Sequence, residues 1–267
     1  MSGFRCRTVV AAVLLWACAG GAMAEEGGKP PRIVRIALGP EIVPDHVGAN
    51  GTKFAPYVNV DFKREGQEFE FEAPDESFGF GLIDLGPLEL GPALSLESAR
   101  RPSRFPVPVA KVPATVEAGA FAQLYLVKAL RIRAEARKGL GGHDGWISQV
   151  SADLIARRGD DYVFSIGPRL SWADRKYQSA YFGVTPAMSA ASGLAPFQPD
   201  AGIRGVGAAT SLSYQFGPRW GIQAYGRYER LVGDAGRSPL IRAYGSRDQL
   251  SAGLALSYTF RLGKSGR

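Results

Sequence analysis

Gln249-Leu250-Ser251-Ala252-Gly253-Leu254-Ala255-Leu256-Ser257-Tyr258-Thr259-Phe260-Arg261-Leu262 alternates without a break. Leu250, Ala252, Leu254, Leu256, Tyr258, Phe260 and Leu262 take one side, and Gln249, Ser251, Gly253, Ala255, Ser257, Thr259 and Arg261 take the other. Successive side chains of a strand point to opposite faces. One face is therefore apolar with aromatics near its end, and the other is small or polar, which suits a strand with lipid on one side and a wet lumen on the other.

The pattern recurs toward the N-terminus. Tyr162, Phe164, Ile166, Pro168, Leu170 and Trp172 oppose Val163, Ser165, Gly167, Arg169 and Ser171, with aromatics at both ends where headgroup layers would lie. Leu130, Ile132, Ala134 and Ala136 oppose Arg131, Arg133, Glu135 and Arg137; Trp220, Ile222, Ala224, Gly226 and Tyr228 oppose Gly221, Gln223, Tyr225, Arg227 and Glu229. Segment 204–216 alternates less cleanly and sets Arg204 on the side of Val206, Leu212 and Tyr214. With 146–157, 116–126, 88–97, 78–85, 67–72, 54–62 and 33–39, the count reaches twelve strands, or ten if 67–72 and a neighbour form only a loop hairpin.

Tight connections at Gly86-Pro87, Lys128-Ala129, Arg158 to Asp160 and Gly217-Pro218 alternate with longer ones at 98–114, 138–145, 172–201 and 232–248. Short turns on one side of a membrane and long loops on the other are the habit of an all-β, transmembrane, antiparallel up-and-down β-barrel. If the last strand ends in the periplasm, the tight turns lie there too. Strands of ten or more residues are long for a soluble sandwich, and a lipocalin-like barrel would carry its charge outside.

The start of the chain reads as export. Arg5 and Arg7 precede an apolar run from Val9 to Ala19, and Ala22-Met23-Ala24 offers small residues for cleavage after Ala24. This divides the chain into a signal peptide (1–24), a periplasmic segment (25–32), a barrel (33–262) and a tail (263–267). Leu15-Trp16-Ala17-Cys18 sits where a lipoprotein box would be, but Trp16 is bulky for that role. Cleavage at Ala24 removes both cysteines, Cys6 and Cys18, and with them disulfides and thiolate chemistry. The formal charge of +7 falls to +5 without Arg5 and Arg7, and no basic cluster with stacking aromatics points to nucleic acid. Beyond the signal no apolar run reaches the eighteen residues of a membrane helix.

Residues 172–202 carry Tyr177, the run Tyr181-Phe182-Gly183-Val184-Thr185, Ser192-Gly193-Leu194 and Ala201-Gly202. A second block reads Gly233-Asp234-Ala235 followed by Ser238-Pro239-Leu240. These stretches resemble the MipA/OmpV family of outer-membrane proteins, with Tyr177, Tyr181, Phe182, Gly183, Ser192 and Gly193 as the signature-loop candidates. The first eighty residues match that pattern poorly, and the chain runs on past Phe260 to Arg267. The resemblance implies location in the cell outer membrane among its lipids, no enzyme activity and no cofactor. It also implies a scaffold role linking a murein hydrolase and a murein synthase, with small-solute porins and surface adhesins as alternatives. The oligomeric state is not readable from the sequence.

Chemistry has few candidates. His46 and His143 each sit beside an aspartate, Asp45 and Asp144, in expected outer loops, but neither has a partner nucleophile or a metal-ligand spacing. Gly81, Gly86, Gly91 and Gly119 match no phosphate loop. The candidate lumen lining is Arg131, Arg133, Glu135, Arg137, Arg169, Arg227 and Glu229, near Asp153, Glu89 and Glu97. Two readings stay open: an anion-leaning pore, or a salt-bridge lattice that closes a small barrel. Likewise the aromatics of 172–182 suit either a recognition loop or a folded lid with girdle residues.

Overall fold

The computed structural model describes residues 31–262. The expected signal peptide with its cleavage residues Ala22 and Ala24, nearly all of the 25–32 segment and the 263–267 tail lie outside the described residues. Twelve strands form one antiparallel sheet. They are β1 (Arg32–Pro44), β2 (Thr52–Arg64), β3 (Phe78–Gly79), β4 (Ile83–Leu85), β5 (Leu88–Glu97), β6 (Thr115–Val127), β7 (Leu130–Leu140), β8 (Trp146–Arg158), β9 (Tyr162–Ala173), β10 (Gly202–Gln215), β11 (Trp220–Leu231) and β12 (Asp248–Leu262). No described helix is long and apolar enough to cross a membrane.

The ladder runs β2-β1-β12-β11-β10-β9-β8-β7-β6-β5-β3, with β4 also on β5, so the first and last long strands pair and the sheet curls round on itself. Register follows the alternation: Ile36 opposes Tyr258 and Leu38 opposes Leu256 across β1 and β12, keeping apolar faces together. Leu250, Leu254 and Leu256 are 62%, 55% and 50% exposed, while Ala255 and Ser257 on the other face are buried. Leu38, Phe54, Phe62, Leu94, Leu154 and Ile166 extend the exposed apolar belt around the wall. A sheet with its apolar side outward and its polar side buried is the inverse of a soluble barrel and suits a hydrocarbon surrounding.

The count of twelve agrees with the sequence, but its membership differs. Segment 67–72 is not a wall strand: it runs through the inside of the curl, with Phe69, Phe71 and Ala73 buried. The expected 78–85 strand divides into β3 and β4 around a break at 80–82. Phe-Glu alternation is the same for a strand facing lipid and for one facing a lumen wall, so period alone could not separate them. Between β2 and the β3/β4 strip no ladder forms, and the wall keeps a seam.

The long-loop end carries a folded lid, one of the two readings open for 172–182, and it is helical. α1 (Arg175–Phe182) and α2 (Pro186–Ser192) fill the β9–β10 connection, and α3 (Gly233–Arg237) and α4 (Pro239–Tyr244) fill β11–β12. Asp174 caps α1 by accepting from the Tyr177 N–H at 2.9 Å, and Thr185 caps α2 through the Met188 N–H at 3.2 Å. Tyr177, Tyr181, Phe182, Leu231, Ala235 and Ile241 share one buried cluster; Val184, Met188 and Leu240 build a second with Val109. An isolated bridge between Ala49 and Gly245 joins the β1–β2 loop to the β11–β12 loop.

Candidate functional site

Period two places Arg131, Arg133, Glu135 and Arg137 on the inner face of β7, and all four are buried. A buried guanidinium is costly unless paired, so the question is where each charge finds its partner. Arg131 Nη2 donates to Asp153 Oδ2 at 2.9 Å from β8, and the same guanidinium holds Glu76 of the inner segment. Asp153 also receives Arg169 Nη2 of β9 at 2.8 Å, and both its oxygens are thereby occupied. Arg169 Nε reaches Asp75 of the inner segment at 2.9 Å. Arg133 pairs with Glu135 at 3.3 Å, and Arg137 pairs with Glu135 and with Glu117 of β6, the latter at 2.9 Å.

Farther round the wall, Arg227 Nη2 donates to Glu229 Oε2 at 3.0 Å and Arg204 Nη2 to Glu229 Oε1 at 2.8 Å. Ser171 Oγ donates to the same Glu229 oxygen at 2.5 Å. On the β1–β2 side Arg35 Nε meets Asp61 at 2.7 Å. The seven lumen candidates thus fall on one connected inner surface. The inner segment crosses it: Ser77 donates to Glu135 at 2.7 Å, Arg131 lies 4.5 Å above the Phe71 ring, and Arg35 lies 4.2 Å above Phe69. What stays open is a cavity of about 260 Å³ between this segment and the β2 side, lined by Arg35, Tyr57, Asp61, Glu72 and Gln223.

Arg204 is a correction. The sequence alternation sets it on the outer face, but a bulge shifts the β9–β10 register between Ile203 and Gly205 and turns the side chain inward. There it also donates through Nη1 to the Tyr177 hydroxyl at 2.6 Å. A bulge re-aims one side chain, and alternation counted along the chain does not reveal it.

The signature candidates lie in the lid and not on an open loop. Tyr177, Tyr181 and Phe182 are fully buried on α1; Gly183 caps α1, Ser192 ends α2, and Gly193 caps α2 at φ 73°. His143 stands 4.6 Å from the Tyr177 ring, and Arg100 Nη1 donates to the Tyr181 carbonyl at 2.6 Å. Burial pushes the Tyr177 and Tyr181 hydroxyls above the ordinary phenol range and lowers Arg100 to about 10. These residues hold a closure.

Each histidine is held by its own loop contacts. His143 accepts the Gly145 N–H at Nδ1 at 3.1 Å, which places its proton on Nε2, toward Glu117 Oε1 at 3.0 Å. His46 packs against Phe105 with centroids 5.2 Å apart; burial first and Arg100 second lower it to about 4. Among the described residues neither ring bonds a serine or threonine hydroxyl. Missing from the sequence candidates are Asp75, Glu76, Glu117, Arg35, Asp61, Arg100 and Arg204. Strict alternation through β1 and β2 could have found Arg35 and Asp61; nothing local marks Asp75 and Glu76 as lumen residues.

A family model described as MltA-interacting protein MipA matches residues 36–260. The chain is similar in fold to an outer membrane channel from Pseudomonas putida F1, at 11% identity and TM-score 0.42 over 89% of this chain and all of that one. It is also similar to the translocator domain of the autotransporter NalP from Neisseria meningitidis, at 13% identity and TM-score 0.34 over 95% of this chain and 96% of that one. A third is OmpT of Vibrio cholerae, at 8% identity and TM-score 0.33 over 86% and 96% of the two chains. No curated protein matches the sequence.

Proposed function

The chain belongs to the family of MltA-interacting protein MipA, proteins of the outer membrane, and on that premise we propose that it works as a non-enzymatic scaffold that holds murein enzymes at the outer membrane. The observation that supports this reading is the filled lumen. Guanidinium and carboxylate groups from β7, β8, β9 and β11 are spent on each other and on Asp75 and Glu76 of the inner segment. A barrel whose interior is occupied in this way presents its exterior surfaces for work. In this reading the short-turn end faces the periplasm, where Gly86-Pro87, Lys128-Ala129 and the 159–161 turn meet the partner.

The family's name speaks of an interaction with MltA, and the partner class for this chain is accordingly a murein hydrolase, with a murein synthase as the second guest. Tagged protein purified from detergent-solubilised outer membranes should retain such a hydrolase, identified by mass spectrometry and by binding to immobilised protein. Retention no greater than that of an unrelated barrel of similar size would remove the scaffold reading.

A further inference from the structure

The seam carries an unfilled demand. β2 pairs only with β1, and β3 and β4 pair only with β5, so two strand edges present main-chain donors and acceptors without a neighbouring strand inside the apolar belt. Hydrocarbon offers such groups no alternative partner. Both edges run from the long-loop end toward the short-turn end: β2 from Thr52, opposite Pro44, to Arg64, and the β3/β4 strip from Phe78, opposite Leu94, to Leu85, opposite Leu88. Edges with the same direction cannot pair antiparallel with each other. One strand running the other way would pair antiparallel with both.

Segment 67–77 runs that way, from Phe69 beside Asp160 of the short β8–β9 turn to Ser77 beside Glu135. Its Glu68-Phe69-Glu70-Phe71-Glu72-Ala73 has the alternation of a wall strand. Side chains, not a ladder, hold its main chain: the Phe69 N–H donates to Asp160 at 2.9 Å, and the Phe69 and Phe71 carbonyls accept from Arg157 at 2.8 Å and Arg131 at 3.0 Å.

We propose that segment 67–77 is the missing wall strand, held in the lumen as a gate, and that its movement into the seam completes the ladder and opens the lumen to small solutes. The resting contacts form the latch: Asp75 with Arg169, Glu76 with Arg131, and the Phe69 and Phe71 rings beneath Arg35 and Arg131. Entry requires a half-turn of the segment, so that Phe69, Phe71 and Ala73 face lipid and Glu68, Glu70 and Glu72 face the lumen. Gly66 supplies the swivel, with φ 85° and nothing within 4 Å of where a Cβ would stand. Gating acts on the same filled lumen that supports the scaffold reading, and hydrolase retention separates the two in the test.

The test is planar-bilayer conductance of the full-length mature protein, with thiol labelling as a second readout. Asp75→Asn with Glu76→Gln removes the carboxylates of the latch and should raise open probability about tenfold or more. Ala73→Cys with Val163→Cys, two residues of one buried cluster, should silence the channel when oxidised and release it on reduction. Ala73→Cys alone should react with a bilayer-resident maleimide in the latch-free background and stay protected, as Ala73 is buried, with the latch intact. An unchanged conductance in a latch-free barrel that folds by heat-modifiable mobility, together with an unlabelled Cys at 73, would overturn the proposal. So would steady conductance through the oxidised clip. Hydrolase retention by the oxidised clip reports on the scaffold alone.

Discussion

Arg204 donates to the Tyr177 hydroxyl at 2.6 Å, a bond that ties the first helix of the lid to the inner face of the barrel wall. Tyr177→Phe removes the acceptor and keeps the ring. Leaving a buried donor short of a partner costs about 1–3 kcal/mol. The expected result is faster tryptic cleavage at Arg175 and Lys176 with the barrel intact by heat-modifiable mobility. Equal cleavage rates would show that the bond does not hold the lid.

Asp153 is the acceptor shared by Arg131 and Arg169. Asp153→Asn leaves two buried guanidiniums competing for Asp75 and Glu76. Removing one member of a buried ion pair typically costs about 3–5 kcal/mol. Urea unfolding in bicelles, followed by tryptophan fluorescence, should show a lower midpoint. A loss no larger than that of a surface Asp→Asn change would contradict the lattice as a source of stability.

His46 is lowered to about 4 by burial and Arg100, against an ordinary value of 6.5. Between those values the unfolded loop binds a proton that the folded loop refuses, so stability rises with pH across the window and is lost as pH falls through it. The protection factors of amides in the 45–51 loop, which compare exchange with its intrinsic rate at each pH, should fall from pH 7 to pH 5. His46→Phe should abolish the difference, and a difference that persists in that variant assigns it elsewhere.

Gly48 sits at φ 79°, and a Cβ there would stand 2.4 Å from Ile241 Cδ1. Gly48→Ala therefore combines left-handed strain of about 1–2 kcal/mol with a clash against α4. The lid should open to protease, and Ile241→Val should restore only the steric part. Full rescue would mean that the backbone conformation relaxes freely.

The wall was legible because alternation survives in any strand with lipid on one side, and β5 to β9, β11 and β12 fall where Leu, Trp and Tyr recur every second residue. Three things escaped it. The inner segment has the same alternation as the wall, and only tertiary packing says which of two apolar surroundings its phenylalanines choose. Arg204 was hidden by a single bulge. The lid helices have at most eight residues, too short for a helical period to emerge, and what marks them locally is their ends: Asp174, Thr185 with Pro186, Gly193 and Pro239. The basic half of the lattice stood out on β7, whereas Asp75 and Glu76 are acidic residues in a loop, indistinguishable in sequence from solvated ones.

The bridge from Ala49 to Gly245 has a bearing on how the ring is closed. It joins the loop of the first hairpin to that of the last, directly above the β1–β12 pairing. The barrel is thus clasped twice where its first and last hairpins meet, once in the wall through β1 and β12 and once above it through the loops.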